Sequence, residues 1–361
     1  MWQTIQNIYN TWPSLLKRWW WLCLVLALAG SIVVTIVIKG QLVGEINHSN
    51  QTSELEVVSL TPLPPIDENT KQVGVLLAGY GGPGHSGGML ADVIQVLWVD
   101  IENSQVALIS IPRDLWISTT DGGTKINAGL TNSGGLETGM QVMKQLVATV
   151  IGLPINYAVT VDFVGFQRLV GETLDGIEVD VAATLEDTWY PITGEELNTC
   201  GLTAQEVGEL TARLSGFELE KQFACRYEHL LFKPGKVQME GGDALKYVRS
   251  RHGSSDFDRS QRQQEVLLAI KKRVVSLQIL DDLPDFFQKL QRTIKTDFDL
   301  KTLELLLSVF KTFQDTQPIS IVLSTDNVLT SGRSSAGQSI LQPKSGDWQG
   351  IHNYIQQELV K

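Results

Sequence analysis

An uninterrupted run of 20 uncharged residues, Trp19 to Ile38 (WWWLCLVLALAGSIVVTIVI), divides this chain of 361 residues into two unequal parts. Coiled as a helix, such a run spans about 30 Å, the hydrocarbon thickness of a bilayer. Lys17 and Arg18 precede it, Trp19, Trp20 and Trp21 sit where an interfacial aromatic belt belongs, and Lys39 stands on the far side. The positive-inside bias then puts residues 1–18 in the cytoplasm and the C-terminal body outside the membrane. Ala27-Leu28-Ala29 resembles a signal-peptide cleavage site. The apolar run continues nine residues past it, which favours an uncleaved transmembrane helix at 19–38. Residues 39–72 read as a polar linker ending in Thr61-Pro62-Leu63-Pro64-Pro65, a stiff, extended segment. Residues 73–361 are enough for one large domain with its own core.

The body has an α/β pattern. Val73–Ala78, Val93–Val99 and Gln105–Ile111 are short, branched apolar runs bounded by turn residues. Asp100 to Ser104 predicts a hairpin turn, which makes the second and third runs antiparallel. A helix is expected over Leu136 to Ile151, with Met140, Met143, Leu146, Val147 and Val150 on one face. Strands at 157–161 and 177–181 flank a helix at 163–171. A further helix begins near Asp256, with Ser254 or Ser255 as N-cap, and runs through Val266, Leu267, Ile270 and Val274. Together these give an α/β body.

Gly79-Tyr-Gly81-Gly-Pro-Gly84 has the spacing of a dinucleotide fingerprint, and Asp100 stands where a ribose-binding acid would. The segment that should then form the first helix contains Pro83, Gly84, Gly87 and Gly88, which do not support a helix. The next strand also arrives sooner than a crossover helix permits. These glycines instead predict a loop that lets backbone approach a ligand closely. Of the three cysteines, Cys23 lies in the apolar run. Cys200 and Cys225 lie in the body, where an outward location would allow them to pair. No Cys/His spacing suits structural zinc.

Arginine is concentrated locally although the formal net charge is −11: Arg249, Arg251, Arg259 and Arg262 fall within fourteen residues, and Arg113 follows the third strand. The guanidinium is a planar fork of donors that matches phosphate oxygens and stays charged in nearly any surrounding. This cluster reads as a site for a phosphate or pyrophosphate, against the plainer alternative of surface salt bridges. Arg259, Arg262 and Gln263 are three and four apart and share a helix face.

Ordered motifs run along the body: Ala91-Asp92, Ser110-Ile-Pro-Arg-Asp114, Lys125-Ile-Asn127, Val161-Asp-Phe163 and Leu174-Asp-Gly-Ile-Glu-Val-Asp-Val181. Gly241-Gly-Asp-Ala-Leu-Lys-Tyr-Val-Arg-Ser-Arg251 and Asp256-Phe-Asp-Arg-Ser-Gln-Arg-Gln-Gln264 complete the series. In order and spacing, these residues resemble the LytR-CpsA-Psr (LCP) family of cell-envelope glycopolymer phosphotransferases, over nearly the whole body. The resemblance implies a single LCP-type domain, with a central mixed sheet flanked by helices, behind a membrane anchor. It implies an enzyme that moves a glycopolymer from a polyprenyl-pyrophosphate carrier to a peptidoglycan hydroxyl and releases polyprenyl phosphate. Arg113, Arg249, Arg251 and Asp256 would be catalytic, with Asp256 orienting the arginines or assisting proton removal. Lys125, Arg259, Arg262 and Gln263 would bind substrate, Asp92 would hold magnesium, and the lipid tail would lie in an apolar tunnel. The helix faces at 136–151 and 264–275 suit its lining, although ordinary core packing gives the same pattern. The partners implied are the lipid-linked glycan, peptidoglycan and the membrane, without nucleic acid.

The chain departs from the family pattern in the glycine-rich loop. Members carry a second metal-binding Asp around positions 80 to 86, where this chain has Tyr80, His85 and Ser86, and an Arg where it has Leu90. Magnesium held by one carboxylate is expected to be weak. That departure keeps open a non-catalytic protein that binds lipid pyrophosphates, and hydrolysis of the pyrophosphate bond is a third outcome. Residues 186–232, which hold both body cysteines, read as an insertion that shapes acceptor or polymer recognition.

Overall fold

The computed structural model describes residues 66–67, 69–85, 87–118, 123–131, 134–250, 256–277, 282–313 and 316–360, without the side chains of residues 256, 257 and 310. The expected transmembrane helix lies outside the described residues. Among those described, no helix is long and apolar enough to cross a membrane.

Three of the apolar runs form the centre of a six-stranded sheet: β1 (Gln72–Tyr80), β2 (Ala91–Asp100) and β3 (Gln105–Ser110). β2 is antiparallel to both β1 and β3. The turn between β2 and β3 is organised by Asp100, whose Oδ1 accepts from the Asn103 backbone N–H at 2.9 Å and whose Oδ2 accepts from Gln72 Nε2 at 3.0 Å. After the two-stranded ribbon β4 (Trp116–Ile117) and β5 (Thr124–Lys125) comes helix α1 (Gly135–Ile151), then β6 (Tyr157–Asp162), which pairs parallel with β1. Helix α2 (Phe163–Arg168) widens into a π-helical turn at Leu169–Thr173.

β7 (Ile177–Val181) leads to β8 (Leu185–Pro191), helices α3 (Ala204–Arg213) and α4 (Phe217–Glu220), β9 (Tyr227–Phe232) and β10 (Gly235–Met239). β8 pairs with β9 and β7 with β10, so residues between β8 and β9 stand apart from the main sheet. Within them Cys200 and Cys225 form a disulfide. Helices α5 (Gly241–Arg249), α6 (Asp256–Ser276) and α7 (Leu283–Thr293) follow, then β11 (Lys295–Thr296), α8 (Leu300–Thr312), β12 (Ile319–Val322), β13 (Leu329–Arg333), β14 (Ser339–Pro343) and α9 (Gln349–Val360). The main sheet runs β11-β6-β1-β2-β3-β12 and is mixed.

Because side chains alternate along a strand, the sheet presents two faces. Leu76, Ala78, Ile94, Val96, Trp98, Ala107, Ile109 and Ala158 pack on one face against Met140, Met143, Val147 and Val150 of α1 and Ile351 and Ile355 of α9. All these α1 residues are fully buried. The apolar face of 136–151 is therefore core, and the expectation that it lines a lipid tunnel is corrected. On the opposite face Val73, Val75 and Tyr157 pack against Leu283 of α7 and Leu303 and Leu306 of α8. A separate core under β7 joins Val179 and Val181 to Leu245, Tyr247 and Val266 of α5 and α6.

Candidate functional site

β1, β3, β6 and β12 run in one direction, and β2 starts where β1 ends. The carboxyl edge of this sheet therefore gathers the glycine-rich loop after β1, Asp92 at the head of β2, Arg113 just after β3 and Asp162 at the end of β6. Crevices at such edges are where open α/β sheets bind ligands. The connection from β1 to β2 is an antiparallel turn, so no crossover helix exists for a dinucleotide fingerprint. The loop closes on itself, with Gly82 N–H donating to the Gly88 carbonyl at 2.8 Å and Gly88 N–H to the His85 carbonyl at 2.9 Å. Gly82 has φ +84°, and a Cβ there would come within 2.9 Å of Asp162 Cβ. The loop thus needs glycine both for its conformation and for its approach to Asp162.

Two groups of charged side chains stand at this edge. In the first, Arg113 Nη1 donates to Asp92 Oδ1, Arg113 Nε lies 3.7 Å from Asp114 Oδ2, and Lys125 Nζ lies 2.5 Å from Asp114 Oδ1. All four side chains remain partly exposed. The pairing of β4 with β5 brings Lys125 opposite Trp116 and so back towards Asp114.

The second group is built around Phe163. Asp162 caps α2, its Oδ1 accepting from the Gly165 N–H at 2.6 Å, which fixes Phe163 in the first turn. The His85 ring meets Phe163 edge-on at 5.1 Å, and the Arg249 guanidinium lies 4.0 Å from the Phe163 centroid. Arg249 also donates to the Tyr190 hydroxyl at 3.4 Å. Burial raises the Tyr190 pKa against the opposing pull of Arg249, so this hydroxyl stays protonated. A cation resting on an aromatic face keeps its N–H groups available at the ring's rim. Sequence reasoning assigned no role to Phe163 or Tyr190, since neither signals an anion site on its own. An Asp directly before a helix is the signal that would have found Asp162 as a cap.

Arg262 is placed differently from expectation. It is 6% exposed, donating from Nε to the Tyr247 carbonyl at 3.0 Å and from Nη2 to the Ser250 carbonyl at 2.6 Å. These carbonyls belong to the C-terminal turn of α5, which lacks intrahelical donors. Arg262 thus completes the end of the helix that carries Arg249, and its expected role in binding substrate is corrected to positioning. Ser250 is held from the other side, donating to Asp187 Oδ2 of β8 at 2.6 Å.

Arg259 and Gln263 are half-buried in the first turns of α6. Gln264 anchors this helix to the sheet: its Nε2 donates to Ser110 Oγ at 3.1 Å and its Oε1 accepts from Ser320 Oγ at 2.5 Å. Further along, Lys271 reaches the Phe313 and Thr316 carbonyls, below the start of β12. α6 therefore runs against the direction of β3, and its N-terminal turns rise towards the carboxyl edge. Arg251 and the Asp256 side chain lie outside the described residues.

Asp92 is the expected magnesium ligand, and its Oδ1 is engaged by Arg113. Among the described residues no group of three or more His, Cys, Asp or Glu side chains could hold a metal. A dication here suits one protein carboxylate completed by phosphate oxygens, the usual manner of magnesium. Beneath the edge, Leu77, Val93, Leu97, Val159 and Val161 share the sheet face that carries Ser110, and all five are only half-buried. Leu267, Leu268 and Ile270 of α6 are likewise half-buried.

Residues 34–354 match the model of the LytR_cpsA_psr family. Among curated proteins, the chain is 27% identical over 241 residues to the polyisoprenyl-teichoic acid–peptidoglycan teichoic acid transferase TagV of Bacillus subtilis, covering 64% of this chain and 51% of TagV. It is 20% identical over 298 residues to the transferase TagT of the same organism, covering 79% of this chain and 80% of TagT. The chain therefore spans about half the length of TagV. The crystal structure of B. subtilis TagV superposes with a TM-score of 0.57 at 21% identity, covering 80% of this chain and 98% of that one. A structure of TagT bound to LI-WTA gives 0.53 at 19% identity, covering 86% and 98%. These structures share the α/β fold with its central mixed sheet flanked by helices.

Proposed function

Because the chain belongs to the LytR_cpsA_psr family, we propose that it is a membrane-anchored phosphotransferase of the cell envelope. It moves a glycopolymer from a polyprenyl-pyrophosphate carrier to a peptidoglycan hydroxyl and releases polyprenyl phosphate. The observation that carries this reading is the Arg249 guanidinium, stacked on Phe163 and steered by Tyr190 at the sheet edge that also holds Arg113. The transferase names of TagV and TagT support it.

In this reading Arg113, Arg249, Arg251 and Arg259, with Lys125 and Gln263, grip the pyrophosphate. The acceptor oxygen bonds to the glycan-side phosphorus, and the bond from that phosphorus to the bridging oxygen breaks. The lipid-side phosphate leaves with the electron pair. Negative charge grows on the leaving group, where fixed guanidinium groups stabilise it most. Asp256 takes the acceptor proton or orients the arginines. Asp92 would hold a magnesium ion delivered with the phosphates, and the ion would add charge neutralisation. The half-buried face under Leu77, Val159 and Val161, with that of α6, suits the polyprenyl chain, because apolar surface left partly open gains from covering. The run 19–38 keeps the site at the membrane surface.

The test is release of polyprenyl phosphate from a synthetic polyprenyl-pyrophosphate sugar. Arg249→Ala removes charge-assisted contacts worth about 1.5–3 kcal/mol. Turnover should fall by about ten- to a hundredfold and more steeply than lipid affinity. Wild-type protein that binds this lipid without turning it over, with any acceptor or metal, would identify a binding protein instead. Glycan transferred only to water would identify a hydrolase.

A further inference from the structure

Three aromatic rings, on β8, on β9 and on helix α4 between them, belong to none of the buried cores. Trp189 meets Phe217 edge-on at 5.5 Å and Tyr227 at 5.4 Å. Phe217 is 43% exposed, and Trp189 and Tyr227 are half-buried. Tyr190 and its cross-strand partner Glu228 face α5, where they meet Arg249 and Lys246. Strand alternation then turns Tyr227 to the opposite side, and Trp189 packs there with it. The Tyr227 pKa is raised, first by burial and then by the neighbouring Glu220 carboxylate, so a protonated hydroxyl and a carboxylate border the rings. The disulfide between Cys200 and Cys225 ties this insertion internally.

The charge of the insertion opposes that of the anion site. Residues 186–232 carry nine carboxylates against three basic side chains. A phosphodiester polymer approaching them meets like charge, whereas an uncharged ligand does not. Lys221 Nζ stands 5.6 Å over one face of Phe217; the aromatic surface left open, electron-rich at the ring centres, attracts the weakly positive C–H faces of a sugar ring. The adjacent hydroxyl and carboxylate can take its O–H groups.

We propose that Trp189, Phe217, Tyr227 and Glu220 form a shelf that binds an uncharged pyranose ring. The identification of that ring with the acceptor glycan rests on the function proposed above; the binding itself does not. Trp189 directly precedes Tyr190 in β8, and Tyr190 holds Arg249. The shelf and the Tyr190–Arg249 contact thus lie on opposite sides of one strand. The shelf would align an acceptor strand whose charge-free sugars pass the insertion while the anionic donor stays on the arginines.

The experiment is calorimetric titration of the full-length protein in detergent micelles with chitotetraose, an oligo(glycerol phosphate) and a polyprenyl-pyrophosphate sugar. Chitotetraose should bind the wild type, and Phe217→Ala and Trp189→Leu should each weaken it about tenfold. Phe217 is exposed, so its variant is expected to fold even if Trp189→Leu does not; circular dichroism checks both. Both folded variants should retain lipid affinity, and Arg249→Ala should do the reverse. Absence of chitotetraose binding to the wild type, or binding unchanged in Phe217→Ala, would overturn the shelf. So would oligo(glycerol phosphate) binding with the same Phe217 sensitivity, which would give the shelf to the anionic polymer. If the lipid fails to bind while chitotetraose retains its sensitivity, the shelf stands and the phosphotransferase reading falls.

Discussion

Replacing Gln95 with methionine should make this protein more stable. Gln95 lies in the middle of β2, opposite Leu77 of β1 and Ser110 of β3, and is 1% exposed. Among the described residues, neither its Nε2 nor its Oε1 has a hydrogen-bond partner. The neighbouring Ser110 hydroxyl is engaged by Gln264. A buried polar group without a partner costs about 1–3 kcal/mol relative to an apolar one of the same shape. Methionine has nearly the length and volume of glutamine and adapts to irregular gaps. Gln95→Met should therefore stabilise by about 1–3 kcal/mol, a rise in Tm of about 2–6 °C for a body of this size. Gln264→Met is the control, because that carboxamide is fully used; its loss strands Ser110 and should destabilise by a similar amount. Differential scanning calorimetry of the full-length protein in micelles reads both. A Tm for Gln95→Met equal to or below wild type refutes the reasoning, because it means that the carboxamide is satisfied in the folded protein.

Two further outcomes are expected. Cys200→Ser opens a disulfide with a sequence separation of 25; on the loop-entropy account this costs the insertion roughly 3 kcal/mol, so limited proteolysis should cut residues 192–226 before the sheet. At Asp100, burial opposes ionisation, but hydrogen bonds from Asn103 and Gln72 outweigh it and hold the pKa below the ordinary 3.8. A carboxylate depressed by folding stabilises above its unfolded pKa and loses that contribution as pH falls through its folded one. The stability gap between wild type and Asp100→Asn, measured by denaturant titration, should be widest near neutrality and close below pH 3.8.

Local sequence determined much of this architecture. Branched apolar runs around Asp-Ile-Glu-Asn are enough for the β2–β3 hairpin, because Asn103, three positions from Asp100, closes the turn, and the bond from Gln72 adds to a turn already formed. The periodic face of α1 foretold a helix, and glycine with proline after β1 foretold a loop. The arginine cluster was legible as charge that an acidic chain does not scatter by chance. What periodicity cannot supply is the surface lying opposite a face. Arg259 and Arg262 are one helical turn apart and indistinguishable in sequence, yet Arg262 turns to the bare carbonyls of α5. The apolar stripe of α1 and that of α6 look alike as patterns; the first is sealed by α9 and the sheet, the second is left partly open. Phe163 becomes a platform only because β6 ends beside the loop that carries His85 and beneath the helix that delivers Arg249. These are contacts between segments tens of residues apart, and they depend on the register and order of strands, which no short stretch of the chain contains.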